Sequence, residues 1–196
     1  MSHRTKSLPE VSGLRHIVRE IRYHEASRQL LGILLVVVFS IFAKPLLPLF
    51  YAGVPLVVAG VAVRLWASGH IKKNKILATD GPYGFVRHPL YVGNILILAG
   101  FVLCSGLWWA AAAAGAFFLL YYPTAIEYED RKLESIFGEQ WRKWRAETKA
   151  LIPRLNPSPA EEKGHWSFLY SMRGNGEPII ALFLLFWLYF IFNKFP

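Results

Sequence analysis

Five apolar runs of near-bilayer length, separated by short polar and basic stretches, constrain this chain more than any other feature. Leu30 to Ala43 is the first, and Pro45 to Phe50 extends it while Lys44 snorkels. Val54 to Gly69, Leu90 to Leu103, Leu107 to Ala125 and Pro178 to Phe192 follow. In lipid every backbone polar group must be satisfied internally, so such runs become helices. The pattern predicts an all-α, polytopic membrane protein with about five transmembrane helices. Composition agrees, because 54% hydrophobic and 15% aromatic residues exceed what an ordinary soluble domain carries. Pro45 and Pro48 are expected to end the first helix in a turn, Ser105-Gly106 to turn the chain again, and Pro123 to kink the fourth span. The alanines from Ala110 to Ala116 are expected to let helices approach closely.

Residues 1–29 read as a cytoplasmic arm and residues 30–196 as a single membrane domain. From Val11 to Leu30, Leu14, Ile17, Val18 and Ile21 recur at helical spacing with Arg15, Arg19, Glu20 and Arg22 between them. That predicts an amphipathic helix, either interfacial or closing as a lid. Met1 to Glu10 hold no apolar core, so no cleavable signal is expected and the first span is expected to direct insertion. Beyond the fourth span, Glu127 to Phe137 continues as a helix out of the membrane, and Gly138 is a natural stop. Gln140 to Lys149 reads as a basic, tryptophan-bearing helix. Pro153 to Gly164 reads as a linker, and Trp166 to Met172 as a short aromatic segment at the interface.

The formal net charge is +9. Beside such apolar runs it points to anionic headgroups rather than to nucleic acid. Arg4, Lys6, Arg15, Arg19, Arg22 and Arg28 lie in the arm, and Lys72, Lys73 and Lys75 precede the third span. The stretch after the fourth span is basic too. Five spans with the N-terminus inside place all three regions in the cytoplasm. Cys104 is the sole cysteine, so no disulfide or cysteine-based metal site is expected, and no histidine pair has zinc or di-iron spacing.

Two polar clusters bracket the hairpin of spans three and four. Gly81-Pro82-Tyr83-Gly84-Phe85-Val86-Arg87-His88-Pro89-Leu90-Tyr91-Val92-Gly93 gathers a cation, an imidazole and two phenols where the chain re-enters lipid. Such groups are costly there without a use. Pro89 suits the first position of a helix, which puts His88 at the cap with Arg87 just outside. The free N–H groups and positive dipole end can hold a carboxylate or phosphate, or a lipid headgroup. Tyr91 lies on the face of His88, and Gly93 lets a helix or a ligand come close. The second cluster is Glu127-Tyr128-Glu129-Asp130 with Glu134. Its acids can pair with Arg87, Arg64 or a cationic ligand, or form a solvated helix face. Arg64, inside the second span, faces the protein interior or snorkels.

At Leu77, Gly81-Pro82-Tyr83, Arg87-His88-Pro89-x-Tyr91-x-Gly93 and Glu129-x-x-x-Leu133-x-x-x-Phe137-Gly138 the chain resembles the integral-membrane methyltransferases. These include isoprenylcysteine carboxyl methyltransferase and the phospholipid N-methyltransferases. The likeness covers roughly 76–153, the catalytic half of such proteins. It implies S-adenosylmethionine as cofactor in a cytoplasmic-face pocket, with S-adenosylhomocysteine as product. It also implies a lipophilic acceptor entering from the bilayer: a lipid amine, an isoprenoid or a prenylcysteine-like carboxylate. By the same resemblance Tyr83, His88, Tyr91, Gly93, Glu129 and Asp130 belong to the cofactor pocket, and Arg87 and Glu129 are the catalytic pair, with Arg87 either holding the cofactor carboxylate or orienting the acceptor. Asp130 replaces a frequent second glutamate, and Trp141 and Trp144 replace frequent tyrosines, which removes two phenolic hydroxyls. Two other readings compete. One is an NADPH-dependent reductase of the sterol reductase type, which Gly138-Glu139-Gln140-Trp141 also fits. The other is a non-catalytic module that binds lipid headgroups.

Overall fold

The computed structural model describes residues 9, 12–70, 76–157, 166–174 and 176–196. Arg4, Lys6, Lys72, Lys73, Lys75 and part of the expected linker from Pro153 to Gly164 lie outside the described residues. The described residues form helices and turns, with no strand among them. The helices are α1 (Gly13–Tyr23), α2 (Glu25–Ile41), α3 (Leu47–His70), α4 (Pro89–Ser105), α5 (Trp108–Glu147), α6 (Phe168–Gly174) and α7 (Glu177–Phe192). A single 3-10 turn, Gly81–Gly84, precedes α4.

Each of the five apolar runs is helical. By length and composition α3 and α5 suffice to cross a membrane, and α1 with α2 makes a third candidate if the bent pair counts as one span. The other two, α4 and α7, are apolar but shorter, at 17 and 16 residues.

Two local expectations need correction. The arm is not one helix. It bends by 71° between α1 and α2, because His24 is extended and its ring accepts a hydrogen bond from the Ser27 backbone N–H, which caps α2. Nor does Pro48 stand in the turn. The helix of the first apolar run, α2, stops at Ile41, and Pro48 sits in the opening turn of α3. There a proline removes no helical hydrogen bond.

The closest packing is between α3 and α4. Gly53 and Gly60 oppose Gly100 and Gly93, and each pair is spaced alike along its own helix. A Cβ on Gly60 would stand 2.6 Å from the Gly93 carbonyl oxygen, and one on Gly53 2.5 Å from that of Gly100. Small residues let the two backbones touch, which is how membrane helices gain contact without a hydrophobic drive between them. The alanine run of α5 plays a lesser part, turning Ala110 and Ala114 inward while Ala111 and Ala112 stay exposed. Phe39, Phe101, Cys104 and Ile191 fill the centre of the bundle with no exposed surface.

A second, smaller core joins Ala67, Leu77, Tyr83, Trp141 and Trp144. Gly138 makes it possible. Its φ of 51° and ψ of −121° break α5, a conformation open to glycine and strained for other residues. The chain beyond then folds its two indoles onto the turn that holds Tyr83. Backbone hydrogen bonds finish the junction, from Arg87 N–H to Lys149 O (2.9 Å), His88 N–H to Ala150 O (3.1 Å) and Arg154 N–H to Phe85 O (2.9 Å).

Candidate active site

His88 is the residue before α4, at φ −122° and ψ 65°. Its side chain does not cap the helix. It turns to α5, with Nε2 3.0 Å from Asp130 Oδ1 and Nδ1 3.3 Å from Glu129 Oε2. Consecutive helical residues diverge by about 100°. One imidazole reaches both because its two nitrogens point to opposite sides of the ring.

The network extends both ways from there. On one side, Arg87 Nη2 donates to Asp130 Oδ2 (3.1 Å), and Nη1 donates to the carbonyls of Arg145 (3.2 Å) and Thr148 (3.1 Å). On the other, Tyr91 stacks on His88 with centroids 5.5 Å apart and donates its hydroxyl to Glu129 Oε1 at 2.6 Å. That hydroxyl accepts from Arg28 Nη1 at 2.8 Å, and the guanidinium lies 5.0 Å from the Tyr91 ring centroid. A continuous path therefore runs Arg28–Tyr91–Glu129–His88–Asp130–Arg87.

Exposure separates the two carboxylates. Both oxygens of each are engaged, but the Asp130 side chain is 10% exposed and the Glu129 side chain 42%. Burial by itself would lower the His88 pKa, but the hydrogen bonds to Asp130 and Glu129 outweigh it and hold it above the ordinary value. Burial also pulls Arg87 down, opposed by Asp130. At Tyr83, burial first and then the charge of Glu129 push the phenol well up.

Of the expected site residues, the structure joins Arg87, His88, Tyr91, Glu129 and Asp130 in one network. Tyr83 lies beside it, buried against Trp141 and Trp144 and within the field of Glu129. Gly93 faces the other way, and its missing side chain leaves room for Gly60 and Arg64 of α3. Trp141 and Trp144 are buried, at 0% and 6% exposure, and neither indole N–H has a hydrogen-bond partner among the described residues.

Arg64 is interior, as one of its two alternatives held. It donates to Glu177 through Nε (3.0 Å) and Nη2 (2.8 Å), and to Asn94 through Nη1 (2.6 Å). Its partner is thus the head of α7 rather than the acids of α5. Glu127 accepts from the Tyr23 hydroxyl at 2.8 Å, and Glu134 pairs with Arg142 at 2.8 Å.

Sequence reasoning missed Arg28, Tyr23, Asn94 and Glu177. Arg28 has a signal of its own, a cation two residues before an apolar run, but the positive-inside rule takes it as topology alone. Glu177 is the single acid at the head of the last run and had a similar one.

Residues 48–140 match the family model for phospholipid methyltransferases. The chain is 40% identical over 113 residues to a cobalt-zinc-cadmium resistance protein of Cupriavidus metallidurans, covering 57% of this chain and 50% of that protein. It is 35% identical over 106 residues to a nickel-cobalt-cadmium resistance protein of Alcaligenes xylosoxydans xylosoxydans, covering 53% and 48%. It is also 30% identical over 86 residues to the protein-S-isoprenylcysteine O-methyltransferase of Schizosaccharomyces pombe, covering 43% and 36%. The matches thus span about half the length of these curated relatives or less. No solved structure matches. The family match and the relationship to the yeast enzyme support the membrane methyltransferase family to which the motifs pointed.

Proposed function

We propose that this chain transfers a methyl group from S-adenosylmethionine to a lipophilic acceptor at the cytoplasmic face of a membrane. The observation that carries the reading is the Tyr91–Glu129–His88 arrangement, in which a half-open carboxylate is held by a phenol and an imidazole inside the stretch that matches the family. The donor set suits the cofactor. Glu129 offers a carboxylate to an ammonium or ribose hydroxyl, and Tyr91, His88 and Tyr83 wall that side of it. When bound, the cofactor supplies a methyl already activated on a sulfonium.

The chain's own task is then alignment and exclusion of water. Arg87 and Asp130 lock His88, which with Tyr91 fixes the two Glu129 oxygens, so we assign Asp130 and Arg87 to positioning. Gly93 sets the α3–α4 spacing behind the site. A carboxylate acceptor needs no base, whereas an amine acceptor gives up a proton that Glu129 is placed to take. We further propose five crossings with the N-terminus inside, supported by the excess of Lys and Arg in the arm, before α4 and after α5.

Calorimetric titration of the detergent-purified protein with S-adenosylhomocysteine, with NADPH in parallel, tests the reading. Saturable binding of the homocysteine compound, lost in Glu129→Ala, is expected. Binding of NADPH alone would move the chain to the reductase class, and binding of neither would leave a lipid-headgroup module.

A further inference from the structure

The helix α2 opens at Glu25, after the 71° bend from α1, so Arg28 stands in its first turn. Arg28 lies outside the stretch 48–140 that matches the family. Its guanidinium reaches across to α4, where Nη1 donates to the Tyr91 hydroxyl at 2.8 Å and the group lies 5.0 Å from the ring centroid. A hydroxyl has a single proton to give, and Tyr91 gives its own to Glu129 Oε1 at 2.6 Å. Arg28 and Glu129 therefore converge on one oxygen atom from two different helices. Among the described residues Arg28 makes no ion pair, with Glu129 or with any other acid.

Both heads can be reached from outside. The Glu129 side chain is 42% exposed, and Arg28 is half-buried. A guanidinium carries several N–H donors. One goes to Tyr91, the others make no hydrogen bond among the described residues, and no Arg28 nitrogen is enclosed without a partner.

The neighbouring arginines are committed elsewhere. Arg87, at the far end of the path, gives Nη2 to Asp130 and Nη1 to two backbone carbonyls, and its Nε is enclosed. Arg64 is closed by Glu177 and Asn94. Arg28 is the arginine with donors to spare beside the carboxylate with an exposed edge.

An anion and a cation held side by side on one phenol, and not paired with each other, match a ligand that carries both charges on neighbouring atoms. An α-amino acid has its ammonium and its carboxylate on a single carbon. The planar fork of an arginine suits the carboxylate, and a carboxylate suits the ammonium. A ligand with the amine alone would leave the guanidinium unmatched, and one with the acid alone would meet Glu129 as a like charge.

We propose that Arg28 is a binding residue for the α-amino-acid end of the S-adenosyl cofactor, taking its carboxylate while Glu129 takes its ammonium. The inference rests on the methyl-transfer reading and deepens it. It moves the carboxylate from Arg87 to Arg28 and makes the helix that follows the arm part of the site.

The detergent-purified full chain is titrated calorimetrically with S-adenosylhomocysteine and with its decarboxylated analogue, which keeps the nucleoside and the amine. The unaltered protein is expected to prefer the compound with the carboxylate by about tenfold. Arg28→Gln is expected to abolish that preference, weakening S-adenosylhomocysteine by about tenfold and leaving the analogue unchanged. Arg28→Lys keeps the charge without the fork, and carries the comparison with a partial loss of preference if Arg28→Gln fails to fold. A variant that weakens both compounds alike acts through Tyr91 only, and overturns the inference while the methyl-transfer reading stands. An unaltered protein that binds both compounds equally does the same, and that result needs no variant. Binding of neither compound by the unaltered protein overturns the inference and the reading together.

Discussion

Two ion networks meet the same helix, α4, and they are built to opposite ends. Around Asn94, Arg64 and Glu177 face each other through two parallel hydrogen bonds, with side chains 12% and 2% exposed. Every strong donor there has its acceptor. Around Tyr91 and His88 the network is just as continuous, yet it passes through Glu129, whose side chain is 42% exposed. The first is a closed tie among α3, α4 and α7, and the second is a tie left open at one carboxylate. Charge inside a membrane protein therefore does not itself mark a site, whereas a well-held charge with an exposed edge makes a candidate for one.

The sharpest way to break that contrast is Glu177→Ala. It strands Arg64 as a buried, unpaired cation, and removing one partner of such a pair costs about 3–5 kcal/mol. Thermal unfolding in detergent should show the loss, and Arg64→Met combined with Glu177→Leu should recover most of it. An unchanged midpoint in the single variant would mean that the closed network holds nothing. Glu129→Gln should do the reverse, weakening S-adenosylhomocysteine binding by about 100-fold, or about 2.7 kcal/mol, while moving the unfolding midpoint less than Glu177→Ala does. Arg28→Gln releases the Tyr91 hydroxyl from the arm, and methyl transfer should fall by about tenfold with the fold intact. Retained activity would separate α2 from the site.

The smallest effect concerns pH. His88 has a raised folded-state pKa, since its bonds to Asp130 and Glu129 outweigh burial. The folded state holds that proton more tightly, so the stabilisation is present in full below the ordinary histidine value of about 6.5 and is lost as pH rises through the raised one. His88→Gln should flatten that part of the stability–pH curve, measured as unfolding midpoint from acid to mildly alkaline pH.

Much of the site was legible in the chain because its signals are local. Pro89 places His88 before a helix, and helical spacing puts Tyr91 on the same face. Glu129 and Asp130 stand out as acids in a basic protein. The roles within that set were not legible. Nothing in the order Glu129-Asp130 says which carboxylate is enclosed, because that depends on where the His88 ring and the Arg87 fork arrive from another helix. Arg28 and Glu177 were overlooked for the same reason. Each acts on a partner more than sixty positions away, and no periodicity reports on that.

The sequence by itself determined that the chain is helical, where each apolar run lies, that the helix past the fourth run must stop at Gly138, and which polar stretch is unusual. Those are consequences of backbone hydrogen bonding in lipid and of local backbone sterics, which act over a few residues. Only the tertiary structure decided that α3 and α4 touch through paired glycines, that Gly93 serves that contact, that Arg64 is matched by Glu177, and that Glu129 is the carboxylate left open. Those depend on which side chains meet after the helices pack, and packing is a property of surfaces that the chain brings together from distant positions.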